Sequence, residues 1–263
     1  MTVITLLTDF GTRDGYPGVM KGVIWKIAPD VQIADLSHAI APQNILEAGL
    51  LLGRTAPYFP PGTIHVVVVD PGVGTSRRGI AAQLGSQYFV GPDNGLFSLI
   101  IARAEESKET IKFIHLNRPE YWLANVSPVF HGRDVFAPVA AYLALGISLD
   151  SLGTEIDDPV RLAIPTPVRT LTGWLGQVIH IDHFGNLSTN LNLSHLKNVS
   201  AVVVKIKDRQ VSGLVSTFGD RPAGTLIALV DSSGSLAISV VNGSAADVLN
   251  SQTGDQVEVI FNV

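Results

Sequence analysis

The 263-residue sequence contains no cysteine. This absence excludes disulfide bonds, thiolate nucleophiles and zinc–cysteine sites, and it leads us to expect a cytoplasmic protein. Long apolar runs are missing too: the longest near-apolar stretch, residues 135–147, includes a proline, whereas a membrane-spanning helix needs about 20 residues. The first residues show neither the basic start nor the cleavage site of a signal peptide. We therefore expect no membrane partner.

A strong excess of one charge is also lacking. The chain has 18 lysines and arginines against 23 aspartates and glutamates, and they are spread along its length. A basic stripe that could bind the phosphates of nucleic acid is therefore not expected. Only 16% of the residues are charged and 46% are hydrophobic, which is typical of a compact globular chain.

The order of the hydrophobic patterns predicts two domains. Strand-like and helix-like segments alternate over the first 150 residues, with one hairpin predicted at 79–95, and this alternation favours a parallel sheet with helices on both faces. A proline-rich stretch follows, and we expect the boundary between residues 158 and 170. Short strand-like segments then alternate with glycine, asparagine and serine. We predict an α/β sandwich domain over residues 1–160 and a smaller all-β domain, a barrel or sandwich, over 171–263.

Two aspartates follow predicted strands of the first domain. Asp9 comes after "VITLLT", and Asp70 ends the run "HVVVV", whose β-branched residues are typical of a strand buried on both faces. Either aspartate alone is more simply explained as a turn or helix cap. Ligands of open α/β sheets bind at the carboxyl ends of the strands, so the two together favour a site.

The glycines after Asp70 do not form a phosphate-binding loop. In "DPGVGTSRRG" an arginine, Arg77, stands where a dinucleotide fingerprint requires its third glycine, and a strand rather than a helix follows. We expect the turn to bring Arg77 or Arg78 back beside Asp70. The sequence does not decide between them, and one of the two is expected to be an ordinary surface arginine.

Three further segments carry polar groups. "FHGRDVFAP" places His131 before a helix, where it could be structural or could serve a site, and Arg133 and Asp134 are expected to pair with each other or to cap the helix. In "HIDHFGNLSTN", three residues could be metal ligands. Strand alternation would place His180 and Asp182 on one face and His183 on the other, so a metal site is not favoured. The Phe-Gly-Asn at residues 184–186 suits recognition of a flat ring by stacking and an amide. "DSSGSLAISVVN", from Asp231, reads as an ordinary hairpin.

Taken together, these segments resemble the S-adenosylmethionine (SAM) hydroxide adenosyltransferases, relatives of the fluorinase and chlorinase enzymes. The resemblance covers nearly the whole chain and rests on five motifs in order: "TDFGTRDGYPGVMKG", "VVDPGVGTSRR", "FHGRDVFAP", "DHFGNLSTN" and "SSGSLAISVVN". It implies an α/β domain followed by a β-barrel, and a homotrimer whose sites lie between subunits. It also implies a reaction of SAM with water that gives adenosine and methionine, without a metal or cofactor.

The resemblance also implies roles for individual residues. By motif position, an Asp-Arg-His set that holds the attacking water corresponds to Asp70, Arg77 and His131. The implied substrate-binding residues are Asp9 for the ribose diol, Asp14 and Asp182 for the methionine amine, Ser232 for its carboxylate, and Asn186 with the backbone of Asn242 for adenine; Phe184 is the stacking candidate of the Phe-Gly-Asn segment.

The alternatives differ in chemistry. The halogen-using relatives lack the Asp-Arg-His set, which this sequence keeps, so hydrolysis is favoured over halide-dependent adenosyl transfer. A metal-dependent hydrolase would use Asp9, Asp70 and His131, with His180 and Asp182 as further ligands. A non-catalytic protein that binds adenosine or SAM is the third alternative.

Overall fold

The computed structural model describes residues 2–196 and 202–261. The chain divides into two compact units, residues 1–163 and 164–263. This division lies within the proline-rich stretch where the sequence places the domain boundary. Each unit has a hydrophobic core of its own. No helix in the described part of the chain is long and apolar enough to cross a membrane.

The first unit contains seven strands and four α-helices. The strands are β1 Val3–Thr8, β2 Gln32–Ser37, β3 Ile64–Val68, β4 Gly79–Leu84, β5 Gln87–Pro92, β6 Ile111–Leu116 and β7 Gly153–Ile156. The α-helices are α1 Tyr16–Ile27, α2 Ile45–Thr55, α3 Ser98–Glu106 and α4 Ala137–Ala144. Short 3₁₀ segments span Ala56–Tyr58, Pro119–Tyr121 and Leu149–Leu152, and a π-helical turn, Gly132–Phe136, leads into α4.

The sheet of the first unit is mixed, with the order β2-β1-β3-β5-β4-β6-β7. The predicted α/β class is confirmed, but only β2, β1, β3 and β5 are parallel to one another. The β4–β5 hairpin reverses the direction through a tight turn at Gly85, whose φ of 61° suits glycine. Strands β6 and β7 then add in antiparallel fashion, so the parallel part is smaller than the sequence predicts.

Strand β3 is buried on both faces, as its run of β-branched residues predicts. Ile64, Val66 and Val68 belong to the core that helices α1 and α4 cover. Val67 and Val69 point the other way, into the core beneath α2 and α3. This alternation explains why no polar residue interrupts the valine run, and why the next polar residue of the chain is Asp70 at its end.

The second unit is an antiparallel, nearly closed barrel, which confirms the predicted all-β class. Its main strands follow the order β12-β11-β15-β9-β10-β14-β13, and the two end strands, β12 and β13, contact each other. The strands are β8 Val168–Arg169, β9 Gly173–Ile181, β10 Leu187–Asn192, β11 Val202–Ile206, β12 Arg209–Ser212, β13 Leu226–Val230, β14 Ser235–Val240 and β15 Gln256–Phe261. The short strand β8 pairs with β9. One helix, α5 Ala245–Leu249, and 3₁₀ segments at Leu193–Leu196 and Phe218–Asp220 complete the unit.

The close packing of β5 against β3 gives a stability prediction. A Cβ atom at Gly91 would collide with the carbonyl oxygen of Val67, so Gly91→Ala should lower the free energy of unfolding by about 1–3 kcal/mol. The matched control is Gly22→Ala in α1, where an added Cβ meets no atom within 4 Å. That change should leave the stability unchanged or raise it by up to about 1 kcal/mol. Denaturant unfolding of both variants tests this, and equal stabilities would contradict it.

Candidate active site

A cavity of about 440 Å³ opens at the carboxyl ends of β1 and β3 in the first unit. Asp9 directly follows β1, and Asp70 lies two residues beyond β3; both line the cavity. His131, from the loop before α4, lines it from another direction. The two strands are parallel neighbours, so their ends meet at one edge of the sheet, as the sequence analysis expects of a ligand site.

Arg77 lies against Asp70 in a bidentate ion pair. Its Nε donates to Asp70 Oδ1 at 2.8 Å, and its Nη2 donates to Asp70 Oδ2. The Asp70 side chain is only 5% exposed and that of Arg77 11%, so solvent screens the pair weakly. The guanidinium also lies over the ring of Phe136, with its Cζ 5.3 Å from the ring centroid. Contacts on several sides thus fix the position of Arg77.

The turn between Asp70 and Arg77 depends on glycine. Gly74 has a φ of 76°, and a Cβ atom there would collide with the carbonyl oxygen of Pro128. The Thr75 hydroxyl donates to the carbonyl oxygen of Gly72 at 2.7 Å and tightens the same turn. The chain therefore reverses direction sharply and returns Arg77 to the aspartate seven residues before it.

The neighbouring arginine serves another purpose. Arg78 donates from Nε to Asp93 at 2.9 Å and from Nη1 to Asp158 at 2.7 Å. Asp93 in turn accepts the backbone N–H of Val160 at 2.8 Å. Arg78 thus holds the end of the first unit in place, and Arg77 is the arginine that contacts Asp70.

His131 completes a chain of three polar side chains. Its Nδ1 lies 2.9 Å from Arg77 Nη2. A guanidinium can only donate, so Nδ1 accepts this hydrogen bond and the ring proton resides on Nε2. Burial, and then the positive charge of Arg77, lowers the pKa of His131 below its usual value, which agrees with a neutral ring. The structure therefore brings Asp70, Arg77 and His131 together.

Arg133 and Asp134 stabilise the loop that carries His131. Asp134 is fully buried and pairs with Arg133, whose Nη2 donates to Oδ2 at 2.9 Å. The same carboxylate accepts the backbone N–H of Ser127 at 2.8 Å. The pairing of these two residues with each other, expected from the sequence, is what the structure has.

Several cavity residues escape the sequence analysis. Phe10, Tyr16 and Phe130 pack edge to face, with ring centroids 5.3–5.9 Å apart, and form an aromatic wall. Gln43 lies opposite, and its backbone N–H donates to Asp9 Oδ2 at 2.8 Å. Its φ of 66° is rare for a residue with a side chain and signals a local constraint at this position. The signal that could have found these rings is their place inside the motifs that carry Asp9 and His131.

Asp14, which the resemblance also implies as a substrate-binding residue of the first unit, lies outside this cavity. Asp14 is exposed on the loop before α1 and is not among the residues that line the cavity.

The second unit has a separate cleft of about 400 Å³. It is lined by Phe184, Asn186, Phe218, Val240, Asn242 and Gly243. Phe184 is 71% exposed and Phe218 45%, an unusual degree of exposure for two large rings at one cleft. Phe218 escapes the sequence analysis, because a lone phenylalanine in the 3₁₀ segment Phe218–Asp220 carries no motif.

Asp182 organises the turn beside this cleft. Its Oδ1 accepts the backbone N–H groups of Phe184 and Asn186 at 2.9 and 2.8 Å. Its Oδ2 accepts the Asn186 side-chain amide at 2.8 Å. This last bond orients the amide of Asn186, so that its Oδ1 is the acceptor left for a ligand.

The remaining implied residues lie in turns of the second unit. Asn242 follows β14 with a φ of 54° and is exposed at the cleft. Ser232 is exposed in the turn after β13 and does not line this cleft. That turn is built around Asp231, which accepts the backbone N–H groups of Ser233 and Ser235 at 2.8 and 3.0 Å.

Within residues 2–196 and 202–261, no group of three or more histidine, aspartate or glutamate side chains is arranged to hold a metal ion. The five ligands of the metal-dependent alternative therefore do not form a cluster of the required kind among the described residues.

Known proteins match the chain from end to end. Residues 4–153 match the SAM hydroxide adenosyltransferase N-terminal domain, and residues 176–258 match the corresponding C-terminal domain. A protein from Thermus thermophilus named (R)-S-adenosyl-L-methionine hydrolase is 38% identical, over 99% of this chain and 100% of its own length. A protein of the same name from Salinispora arenicola is 37% identical, over 97% of each chain.

Solved structures and more distant enzymes agree with this match. The crystal structure of an uncharacterized conserved protein from Thermotoga maritima has a TM-score of 0.89 at 37% identity, covering 98% of this chain and 99% of that one. A fluorinase from an Actinoplanes species is 29% identical, over 74% of this chain and 73% of its own length. The chain belongs to the SAM hydroxide adenosyltransferase family, and the fluorinases are its more distant relatives.

Proposed function

We propose that the protein is an enzyme that hydrolyses SAM to adenosine and methionine. The observation that carries the proposal is the contact chain Asp70–Arg77–His131 at a cavity that also exposes Asp9. The relatives that are 37–38% identical are named as hydrolases of the (R) epimer at sulfur, and we extend that substrate class to this chain.

The reaction joins the oxygen of a water molecule to the ribose C5′ carbon and breaks the bond from C5′ to sulfur. The electron pair of that bond stays on sulfur, so the sulfonium leaves as the neutral thioether of methionine. The difficulty lies in the nucleophile, because bulk water is a very weak acid and holds its proton at neutral pH. The Arg77 cation beside the water favours its deprotonation and stabilises the charge that develops.

We assign the proton of the water to Asp70. His131 Nδ1 already accepts the hydrogen bond of Arg77, so that nitrogen is not available as a base, and Nε2–H can only donate. Each oxygen of Asp70 keeps a second lone pair after binding Arg77. His131 therefore orients the water and Asp70 accepts its proton, a division of roles that sharpens the expectation from the sequence.

The remaining residues would bind the parts of the substrate. Asp9 would accept the two hydroxyls of the ribose, and this holds C5′ in line with the water. Adenine would stack on Phe184 and Phe218 and donate its amino group to Asn186 Oδ1, with the backbone of Asn242 beside it. Asp14 and the free position on Asp182 Oδ2 would bind the methionine amine, and Ser232 its carboxylate.

The proposal includes no metal and no cofactor. The electrophile carries its own positive charge and the leaving group is neutral, so neither a Lewis acid nor a general acid is needed. SAM is the substrate itself. We also propose a cytoplasmic location, with which a chain free of cysteine is compatible.

We further propose that the protein acts as a homotrimer. In this arrangement the cavity of one subunit, with Asp70, meets the cleft of a neighbouring subunit, with Asn186. The resemblance to the family suggests this arrangement, and the exposure of Phe184 and of Val129, at 71% and 74%, is consistent with surfaces that become covered in an assembly.

The function is tested by incubating the protein with SAM in ¹⁸O-labelled water. We expect adenosine labelled at its 5′ oxygen, with methionine in equal amount, because water attacks C5′ directly. Mass spectrometry of the products measures the label. Activity that is lost after chelation would indicate a metal-dependent hydrolase, and consumption that requires halide would indicate halide-dependent transfer. Adenosine binding without turnover would indicate a non-catalytic protein.

The role of Arg77 gives a second prediction. Arg77→Ala should lower kcat by about 10²–10³-fold, since it removes the group that stabilises the developing hydroxide, and it should change adenosine affinity little. The matched control is Arg78→Ala, which removes a neighbouring guanidinium that holds Asp93 and Asp158. The control should lower thermal stability and keep kcat near the wild-type value. Equal losses of kcat in both variants would contradict the assignment.

The shared site gives a third prediction. We expect Asp70→Asn to be inactive, and Phe184→Ala/Asn186→Ala to be inactive at low SAM concentration. When the two variants are co-expressed with different tags and purified on both tags in turn, only mixed trimers remain, and these should show about a third of wild-type activity, because each contains one intact site out of three. Sites formed within single subunits would give no recovery. The controls are preparations in which each variant is co-expressed with a differently tagged copy of the same variant.

A further inference from the structure

We propose that His38 is a positioning residue that acts through Thr8 to hold the turn carrying Asp9. The inference rests on the proposed function in one respect, namely that Asp9 binds the ribose of the substrate. Neither His38 nor Thr8 lines the cavity, so their effect must pass through the residues between them and the ligand.

Thr8 and His38 meet where two parallel strands end. The register of β1 and β2 shifts by one residue after Leu6, so that Leu7 lies opposite Ser37. The residues that follow these two, Thr8 and His38, are therefore neighbours. The Thr8 side chain is fully buried and His38 is only 7% exposed. Thr8 Oγ1 lies 2.8 Å from His38 Nδ1. A polar pair this well buried is costly unless each group has its partner.

The contacts around this pair link the histidine ring to the backbone beyond Asp9. Thr8 Oγ1 accepts the backbone N–H of Phe10 at 3.2 Å and is hydrogen-bonded to His38 Nδ1 on its other side. The opposite ring nitrogen, Nε2, lies 3.1 Å from Asp35 Oδ1 but makes no well-formed hydrogen bond. Lys21 donates to the other oxygen of Asp35 at 2.6 Å. The contact at Nδ1 therefore holds the ring, and Thr8 links it to the backbone just beyond Asp9.

The same segment also holds the turn through main-chain atoms. The N–H of Gly11, whose φ is 69°, donates to the carbonyl oxygen of His38 at 2.7 Å. Five residues further on, Gln43 donates its N–H to the Asp9 carboxylate at 2.8 Å. Asp9 thus lies between two anchors, one on the backbone that follows it and one on its own side chain. Loss of the Thr8 hydroxyl frees the backbone N–H of Phe10 and with it the direction of the Asp9 carboxylate.

The test is Thr8→Val, which removes the hydroxyl and keeps the shape. We expect adenosine to bind about tenfold more weakly, as measured by calorimetry, since the loss of two buried hydrogen bonds misplaces the ribose-binding carboxylate. Thr8→Ser, which restores the hydroxyl, should bind adenosine like the wild type. His38→Phe, which keeps a flat ring without nitrogens, should reproduce the loss if Thr8→Val proves too unstable to purify.

The chain offers a matched control three residues earlier on β1. Thr5 Oγ1 contacts His65 Nδ1 at 2.7 Å, also between two fully buried side chains. Thr5→Val therefore removes the same kind of bond from the same strand, away from the cavity. It should lower the melting temperature without changing adenosine affinity. Equal losses of affinity in Thr5→Val and Thr8→Val would reduce the effect to general destabilisation and overturn the inference.

A double-mutant cycle separates positioning from a structural effect. In an Asp9→Ala background, Thr8→Val should cause no further loss of adenosine affinity, because the group that Thr8 positions is already absent. A full additional loss in that background would overturn the inference. If the wild type binds adenosine and Thr8→Val binds it equally well, the positioning role of His38 and Thr8 is wrong and the proposed function stands. If the wild type neither binds adenosine nor consumes SAM, the proposed function fails, and the inference with it.

Discussion

Burial of β3 on both faces is the constraint on which the site depends. An ionised carboxylate inside such a strand would lose several kcal/mol of solvation, so charge can enter the chain only where the strand ends. Asp70, two residues beyond β3, is the first polar residue after that point, and its side chain is still only 5% exposed. A group so poorly solvated needs a partner of matching geometry, and the bidentate contact with Arg77 provides it. The position of the ion pair thus follows from the packing of the valines before it.

The two adjacent arginines illustrate how one turn serves both the site and the fold. They directly precede β4, and their side chains have different partners. Arg77 contacts Asp70 at the cavity, and Arg78 contacts Asp93 and the chain at Asp158. The contact made by Arg78 joins the entry of β4 to Asp93 and Asp158 and so serves the fold, while Arg77 serves the site.

Local patterns predict the parts of this protein that local forces determine. The strand that ends at Asp70, the hairpin at Gly85 and the all-β second unit could be read from periodicity and turn residues. The antiparallel edge made by β4, β6 and β7 could not, since strand order is decided by how distant segments pack.

The same limit applies to the site. The family resemblance brings Asp70, Arg77 and His131 into one hypothesis, but the sequence cannot say which arginine makes the contact, because that depends on how the turn after Asp70 folds. Gln43 and Phe218 carry no chemical signature in the sequence. Only the folded chain places Gln43 in the cavity with Asp9 and Phe218 in the cleft with Asn186.

Charge balance in the cavity explains how the proposed reaction could produce its nucleophile when it is needed. The Asp70–Arg77 pair has no net charge and His131 is neutral, so the substrate's own sulfonium supplies the additional positive charge near the water. At a separation of about 4 Å and an effective dielectric constant of about 20, its attraction for hydroxide is about 4 kcal/mol, or about three pKa units. This is too little to deprotonate water fully at neutral pH, so in the proposed mechanism proton transfer to Asp70 accompanies formation of the bond to C5′. Without the substrate, a water at this position would stay protonated, so the proposal makes the reactive species a property of the complex.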